Sequence, residues 1–176
     1  MYLSEKRSFF MQKSTLIIVR AGLIAGLYVV LSLITMPIAS GAIQFRISEA
    51  LCILPLFFVE AIPALFIGCA LSNLITGCMV LDIVFGSLIT LVAGVCTYII
   101  GKIFKGSFLR IFLGGLFPVV LNALILPLIW VKVYGVLEYA YYLQALFLLI
   151  SQSLSIYAVG TPLYLAINKI NIKLNN

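Results

Sequence analysis

The chain has 176 residues, of which 64% are hydrophobic and 9% charged, and its mean hydropathy is +1.26. That balance excludes a soluble domain with a polar surface and implies an integral membrane protein, a single transmembrane domain over residues 1–176. The excess of 11 Lys and Arg over 5 Asp and Glu would suggest nucleic acid in a soluble protein, but in a membrane chain it sets orientation, and no nucleic-acid partner is expected.

A bilayer core takes about 20 apolar residues per helix, so the length allows roughly six spans with short connections. There is no His, and Cys52, Cys69, Cys78 and Cys96 lie scattered through apolar segments without metal-ligand spacing. They read as small buried hydrophobes, and neither a metal nor a cofactor is expected. Residues 1–13 are polar and basic, but the apolar run that follows is too long for a signal peptide and reads as a retained first helix.

Uncharged runs cover 21–45, 50–59, 61–81, 83–101, 111–131 and 139–168. Five are long enough to span, and the second becomes a short span only with residues 47–49 added. Loop charge arbitrates. Six spans with a cytoplasmic N-terminus place nine basic residues inside (Lys6, Arg7, Lys13, Arg20, Lys102, Lys105, Arg110, Lys169, Lys173) and two outside (Arg46, Lys132). Five spans would put Lys102, Lys105 and Arg110 outside, so the positive-inside bias favours six helices in one bundle with both termini cytoplasmic.

Helix one is expected over 16–36, ended by Pro37. It carries two small pairs on adjacent faces, Ala21 with Ala25 and Gly22 with Gly26. Small residues at that spacing allow close approach in lipid, either within the bundle or by a separate membrane subunit. The outer loop that follows, residues 41–51, sets the amide of Gln44, the guanidinium of Arg46 and the carboxylate of Glu49 within six positions of almost unbroken hydrocarbon, and reads as half of a binding site.

Helix two, near 48–59, contains Pro55 and is expected to be bent or short. Glu60 and Pro63 look like the start of helix three, with Glu60 as a cap, and Ser72 and Asn73 either bond to a neighbouring helix or face a cavity. Asp82 either caps helix four, 83–102, or reaches into a pocket. Helix five, 108–130, carries Pro118, Pro127 and one amide, Asn122, and prolines in a span often lie beside a cavity. Trp130 and Tyr134, Tyr139, Tyr141 and Tyr142 form an interfacial belt, a stacking lid, or both. Helix six, 141–167, holds a polar seam in which Gln144, Ser151 and Ser155 fall close together.

There is no phosphate loop, nucleotide fingerprint or credible nucleophile and base pairing, so an enzyme is not expected. Nearly all charges sit at helix ends, which argues against a channel or an ion-coupled carrier. What remains is the layout of a ligand-capturing protein that does not itself couple transport to energy.

The segments GAIQFRISEALCILPLF, EAIPALFIGCALSN and LDIVFGSLITL, within residues 41–91, resemble the QueT family, the substrate-binding S components of energy-coupling factor (ECF) transporters assigned to queuosine precursors. The resemblance implies an extracellular site for a 7-deazaguanine such as preQ0 or preQ1, in the plasma membrane of a bacterium. It also implies association with a transmembrane coupling subunit and two cytosolic ATPases, which would hydrolyse the ATP. Ala21 and Ala25 fit the AxxxA pattern through which S components meet that subunit.

For such a ligand, one carboxylate suits the adjacent N1-H and 2-amino donors, and an amide or guanidinium suits O6. Glu49 is the first candidate for the donors, with Arg46 and Gln44 for O6, unless Arg46 and Glu49 merely pair with each other. Asp82, Asn122, Glu138 and Gln152 are further candidates, an acid among them meeting the aminomethyl cation of preQ1, and Trp130 or a nearby tyrosine is a candidate to stack on the ring. The alternatives are an S component for a flavin or pterin, and a structural or assembly membrane protein without a ligand.

Overall fold

The computed structural model describes residues 2–39, 44–135 and 139–175, with side chains over 14–38, 44–133 and 140–170. Its elements run α1 (Tyr2–Ala39), a 3-10 helix (Ile47–Leu56), α2 (Ala61–Ile75), α3 (Val80–Ile103), α4 (Ser107–Tyr134), α5 (Tyr139–Ser153), a π-helical turn (Leu154–Val159) and α6 (Gly160–Asn175). Four segments are long and apolar enough to cross a membrane: Ser14–Ile38, Val80–Ile103, Ser107–Val133 and Ala140–Ile170. The 3-10 helix and α2 are shorter.

The short segment lies at the centre of the bundle. Nine of its ten residues are buried, and it packs against α1, α2, α3, α4, the π turn and α6. Its start, at Arg46, meets Asn73 near the end of α2, whereas the Leu56 carbonyl at its other end accepts a hydrogen bond from Arg110 in the first turn of α4. The segment therefore runs lengthwise inside the bundle, from beside the end of α2 to beside the first turn of α4. A 3-10 helix rises about 2.0 Å per residue against about 1.5 Å for an α-helix, so ten residues reach roughly 20 Å instead of 15 Å. The tighter winding thus lengthens the reach of a run too short for an ordinary span.

Glycines clear its path. A methyl group on Gly101 of α3 would stand 2.8 Å from the Leu56 carbonyl oxygen, and one on Gly114 of α4 would stand 2.8 Å from Leu56 Cδ2. At the other end, a methyl on Gly160 would lie 3.2 Å from the Ala50 carbonyl oxygen.

Two expectations need correction. Pro37 does not end the first helix, which runs through it to Ala39; a proline this close to a helix end disturbs little ladder beyond itself. Glu60 stands at the N-cap of α2 but makes no side-chain cap bond, because Arg20 of α1 draws its carboxylate away at 3.5 Å. The sixth predicted helix is present over its expected range and holds a π turn within it. Its π turn directs the Ser155 hydroxyl to the Arg46 carbonyl at 2.8 Å, so the wide turn fastens the entrance of the 3-10 helix.

Candidate functional site

The second half of α2, the first half of α3, the last turns of α4 and the end of α5 meet where the 3-10 helix begins. There they enclose a cavity of about 100 Å³. Gln44, Arg46, Glu49, Asp82, Asn122, Trp130 and Gln152 all line it, whereas Tyr141 and Tyr142, alternatives to Trp130 for stacking, lie outside its wall. Glu138 lies outside the described residues.

Glu49 is 3% exposed, and a carboxylate so placed requires donors. The Tyr28 hydroxyl donates to its Oε1 at 2.7 Å, and the Cys52 thiol donates to Oε2 at 3.3 Å. Arg46 turns elsewhere, donating from Nη1 to Asn73 Oδ1 at 2.9 Å. Among the described residues the single ion pair is Arg20 with Glu60, so Arg46 and Glu49 do not form the mutual pair that their spacing allows. The backbone explains this: Arg46 is the extended N-cap of the 3-10 helix, at φ −122° and ψ 112°, and its side chain leaves in a direction that an i, i+3 pair on one helix would not take. An anion and a cation thus face one cavity, each held by neutral groups.

Asp82, in the first turn of α3, accepts from Trp130 Nε1 at 2.9 Å. This favours the pocket reading of Asp82 over the cap, and it fixes the indole at the cavity wall. Asn122 and Gln152 are each 4% exposed, and the Gln152 amide oxygen has no hydrogen-bond partner among the described residues. Gln44 takes φ +45°, a left-handed backbone that costs a non-glycine residue on the order of 1 kcal/mol or more.

Several wall residues carried no sign in the sequence: Cys69 on α2, Cys78 in the turn after it, and Gly86 and Thr90 on α3; Asn73, expected to bond to a neighbouring helix or to face a cavity, is also in the wall. Gly86 leaves room for the Asn73 amide, since a methyl there would come within 3.3 Å of Nδ2. Asn73 was marked by being an amide in an apolar span, and its pairing with Arg46 settles that it faces the cavity. A second space of about 100 Å³ lies behind Arg46 and Asn73, lined also by Ser32, Met36, Ser72 and Thr76. Ser151 donates to its own helix, at Leu148 O, and Ser155 bonds to the 3-10 helix as above, so these serines serve packing.

The small residues of α1 divide between two environments. Ala21 and Ala25 are half-buried, and the Ala25 carbonyl oxygen approaches so closely that a methyl on Gly68 of α2 would lie 3.1 Å from it. Gly22 and Gly26 are exposed, with nothing within 4 Å of a methyl placed on either.

A helical bundle with four membrane-length segments and a buried polar cavity at one end is the build of a membrane protein that holds a small molecule. The chain belongs to the QueT transporter family, whose model matches residues 18–169. No curated protein and no solved structure matches it. Membership makes it a membrane transport protein with a small-molecule substrate.

Proposed function

We propose that the protein is the substrate-binding S component of an ECF-type importer, capturing a queuosine precursor of the preQ0 or preQ1 type at the extracellular side of a bacterial plasma membrane. The observation that carries this reading is the pair of opposite charges, Arg46 and Glu49, that face one cavity without a direct ion pair between them. A guanine-like edge matches the capacity both have left: two adjacent donors for the remaining lone pairs of Glu49 and the O6 acceptor for a free N–H of Arg46 or for Gln44. Trp130, held by Asp82, is the surface on which the ring stacks.

Orientation follows from charge. Lys102, Lys105 and Arg110 join α3 to α4 at the end opposite the cavity, and the positive-inside rule places that end in the cytoplasm. All six segments, the 3-10 helix included, then count as crossings, with both termini inside. The chain is not an enzyme in this scheme. A coupling subunit docks on α1 at its small residues, Ala21 and Ala25 or the adjacent open pair, and two cytosolic ATPases supply the energy.

The test is ligand-dependent thermal stabilisation of the purified protein in detergent. PreQ0 or preQ1 is expected to raise the unfolding temperature, and riboflavin or a pterin is not. Stabilisation by the flavin or pterin alone would reassign the substrate, and no response to preQ0 or preQ1 would defeat the queuosine-precursor assignment.

A further inference from the structure

A third cavity, of about 180 Å³, adjoins the charged one. The two share Gln44, Trp130 and Leu148 as walls, and beyond these α5 adds Leu143, Gln144 and Phe147. This side chamber is thus mainly apolar, with one amide at its helical wall. The Gln144 amide oxygen is shielded from solvent and has no hydrogen-bond partner among the described residues. A buried acceptor left unmade costs about 1 to 3 kcal/mol, so its presence calls for a donor. Gln152 presents the same unmet acceptor in the charged chamber, so the two chambers each carry one.

We infer that the side chamber is a subsite for a hydrogen-bond-donating substituent on the ligand's ring, and that Gln144 is the residue that selects it. The ring occupies the charged chamber between Arg46, Glu49 and Gln152, and the substituent passes Trp130 and Gln44 to reach Gln144. An amine fits this wall in three ways: its N–H groups meet the Gln144 oxygen, the indole face attracts a cation, and its carbon stem lies against Leu143 and Phe147. A nitrile, which has no donor, leaves the Gln144 oxygen unmet. The inference rests on the ring-binding reading above and adds to it a preference among ring-matched compounds.

The experiment measures the affinities of 7-deazaguanine, its 7-cyano derivative and its 7-aminomethyl derivative for the wild-type protein, Gln144→Leu and Gln144→Glu. The wild type is expected to bind the aminomethyl compound about tenfold more tightly than the unsubstituted ring, the scale of one hydrogen bond. Gln144→Leu is expected to erase that difference and leave the other two ligands within about twofold of wild type. Gln144→Glu, which keeps an acceptor and adds charge, is expected to keep or widen the aminomethyl preference, and it serves as the deciding variant if Gln144→Leu does not fold. A wild-type preference for the nitrile, an unchanged preference in Gln144→Leu, or an equal loss for all three ligands would overturn the subsite while the ring site stands. Failure of all three compounds to bind the wild type would overturn the ring reading and the subsite with it.

Discussion

The Tyr28 hydroxyl donates to Glu49 Oε1 at 2.7 Å, joining the middle of α1 to the first turn of the 3-10 helix. Four residues on, the Ser32 hydroxyl meets that of Ser48, also at 2.7 Å. These bonds tie in the most open of the membrane-length segments: 11% of its apolar window is buried, against 33 to 39% for the other three. The helix with the most open surface is therefore fastened through the acid that faces the cavity.

Tyr28→Phe is expected to keep the packing and delete the bond, because Tyr28 is fully buried with its Cβ close against Gly68. Losing a donor to a buried carboxylate costs about 1.5 to 3 kcal/mol, which thermal unfolding in detergent would register as a lowered midpoint without ligand. Ligand affinity is expected to fall as well, since Glu49 then has only the Cys52 thiol to hold it. An unchanged midpoint would mean that the hydroxyl contributes nothing to fastening α1.

Glu49→Gln separates stability from binding. Neutralising a buried carboxylate removes its desolvation cost, and Tyr28 can still donate to the amide oxygen, so the ligand-free midpoint is expected to hold or rise. Affinity for a guanine-like ligand is expected to drop by about 1.5 to 3 kcal/mol, roughly ten- to hundredfold, because the amide cannot accept two donors as a carboxylate does. Glu60→Gln, at the far end of the bundle and paired with the half-exposed Arg20, is the control and is expected to leave affinity unchanged. Equal affinity in Glu49→Gln and wild type would remove Glu49 from the site.

Packing around the 3-10 helix is tested at two glycines of the α3–α4 region. Gly101→Ala places a methyl 2.8 to 2.9 Å from the backbone of Leu56, which cannot move without shifting the helix, so a loss of about 1 to 3 kcal/mol is expected. Gly106→Ala meets nothing within 4 Å and is expected to be neutral. Equal midpoints for the two variants would show that the 3-10 helix does not pass where it is placed.

The spans and the charged half of the site were legible because charge in an apolar chain is conspicuous. Arg46 and Glu49 stood out for that reason, and the starts of α3 and α4 were anticipated to within three residues by the polar turns before them. The winding of the fifty-to-sixty stretch was not legible. An apolar run of ten residues with one proline does not distinguish a short α-helix from a 3-10 helix, and the choice is made by the distance to be covered and by glycines on α3, α4 and α6. Tyr28 was missed for a related reason: on its own helix it is one more bulky residue, and its role appears only once Glu49 is brought beside it. Cys69 and Thr90, uncharged and within apolar helices, carried no mark of the wall they form.

The small residues of α1 give the final prediction, which bears on coupling. Ala25 lies on the flank that α2 covers, so Ala25→Leu is expected to disturb the approach of Gly68 and lower both stability and ligand affinity. Gly22 and Gly26 face outward with open space around them, so Gly22→Leu with Gly26→Leu is expected to leave the unfolding midpoint and ligand affinity intact. In lipid, small residues on an open face admit the close approach of another helix, and leucines there would hold it off. If a coupling subunit docks on this face, co-expression with the ECF subunits and purification through the coupling subunit is expected to recover wild type but not the double variant. Recovery of the double variant at wild-type yield would move the docking surface off these glycines, and loss of ligand affinity in it would mean that they pack within the bundle.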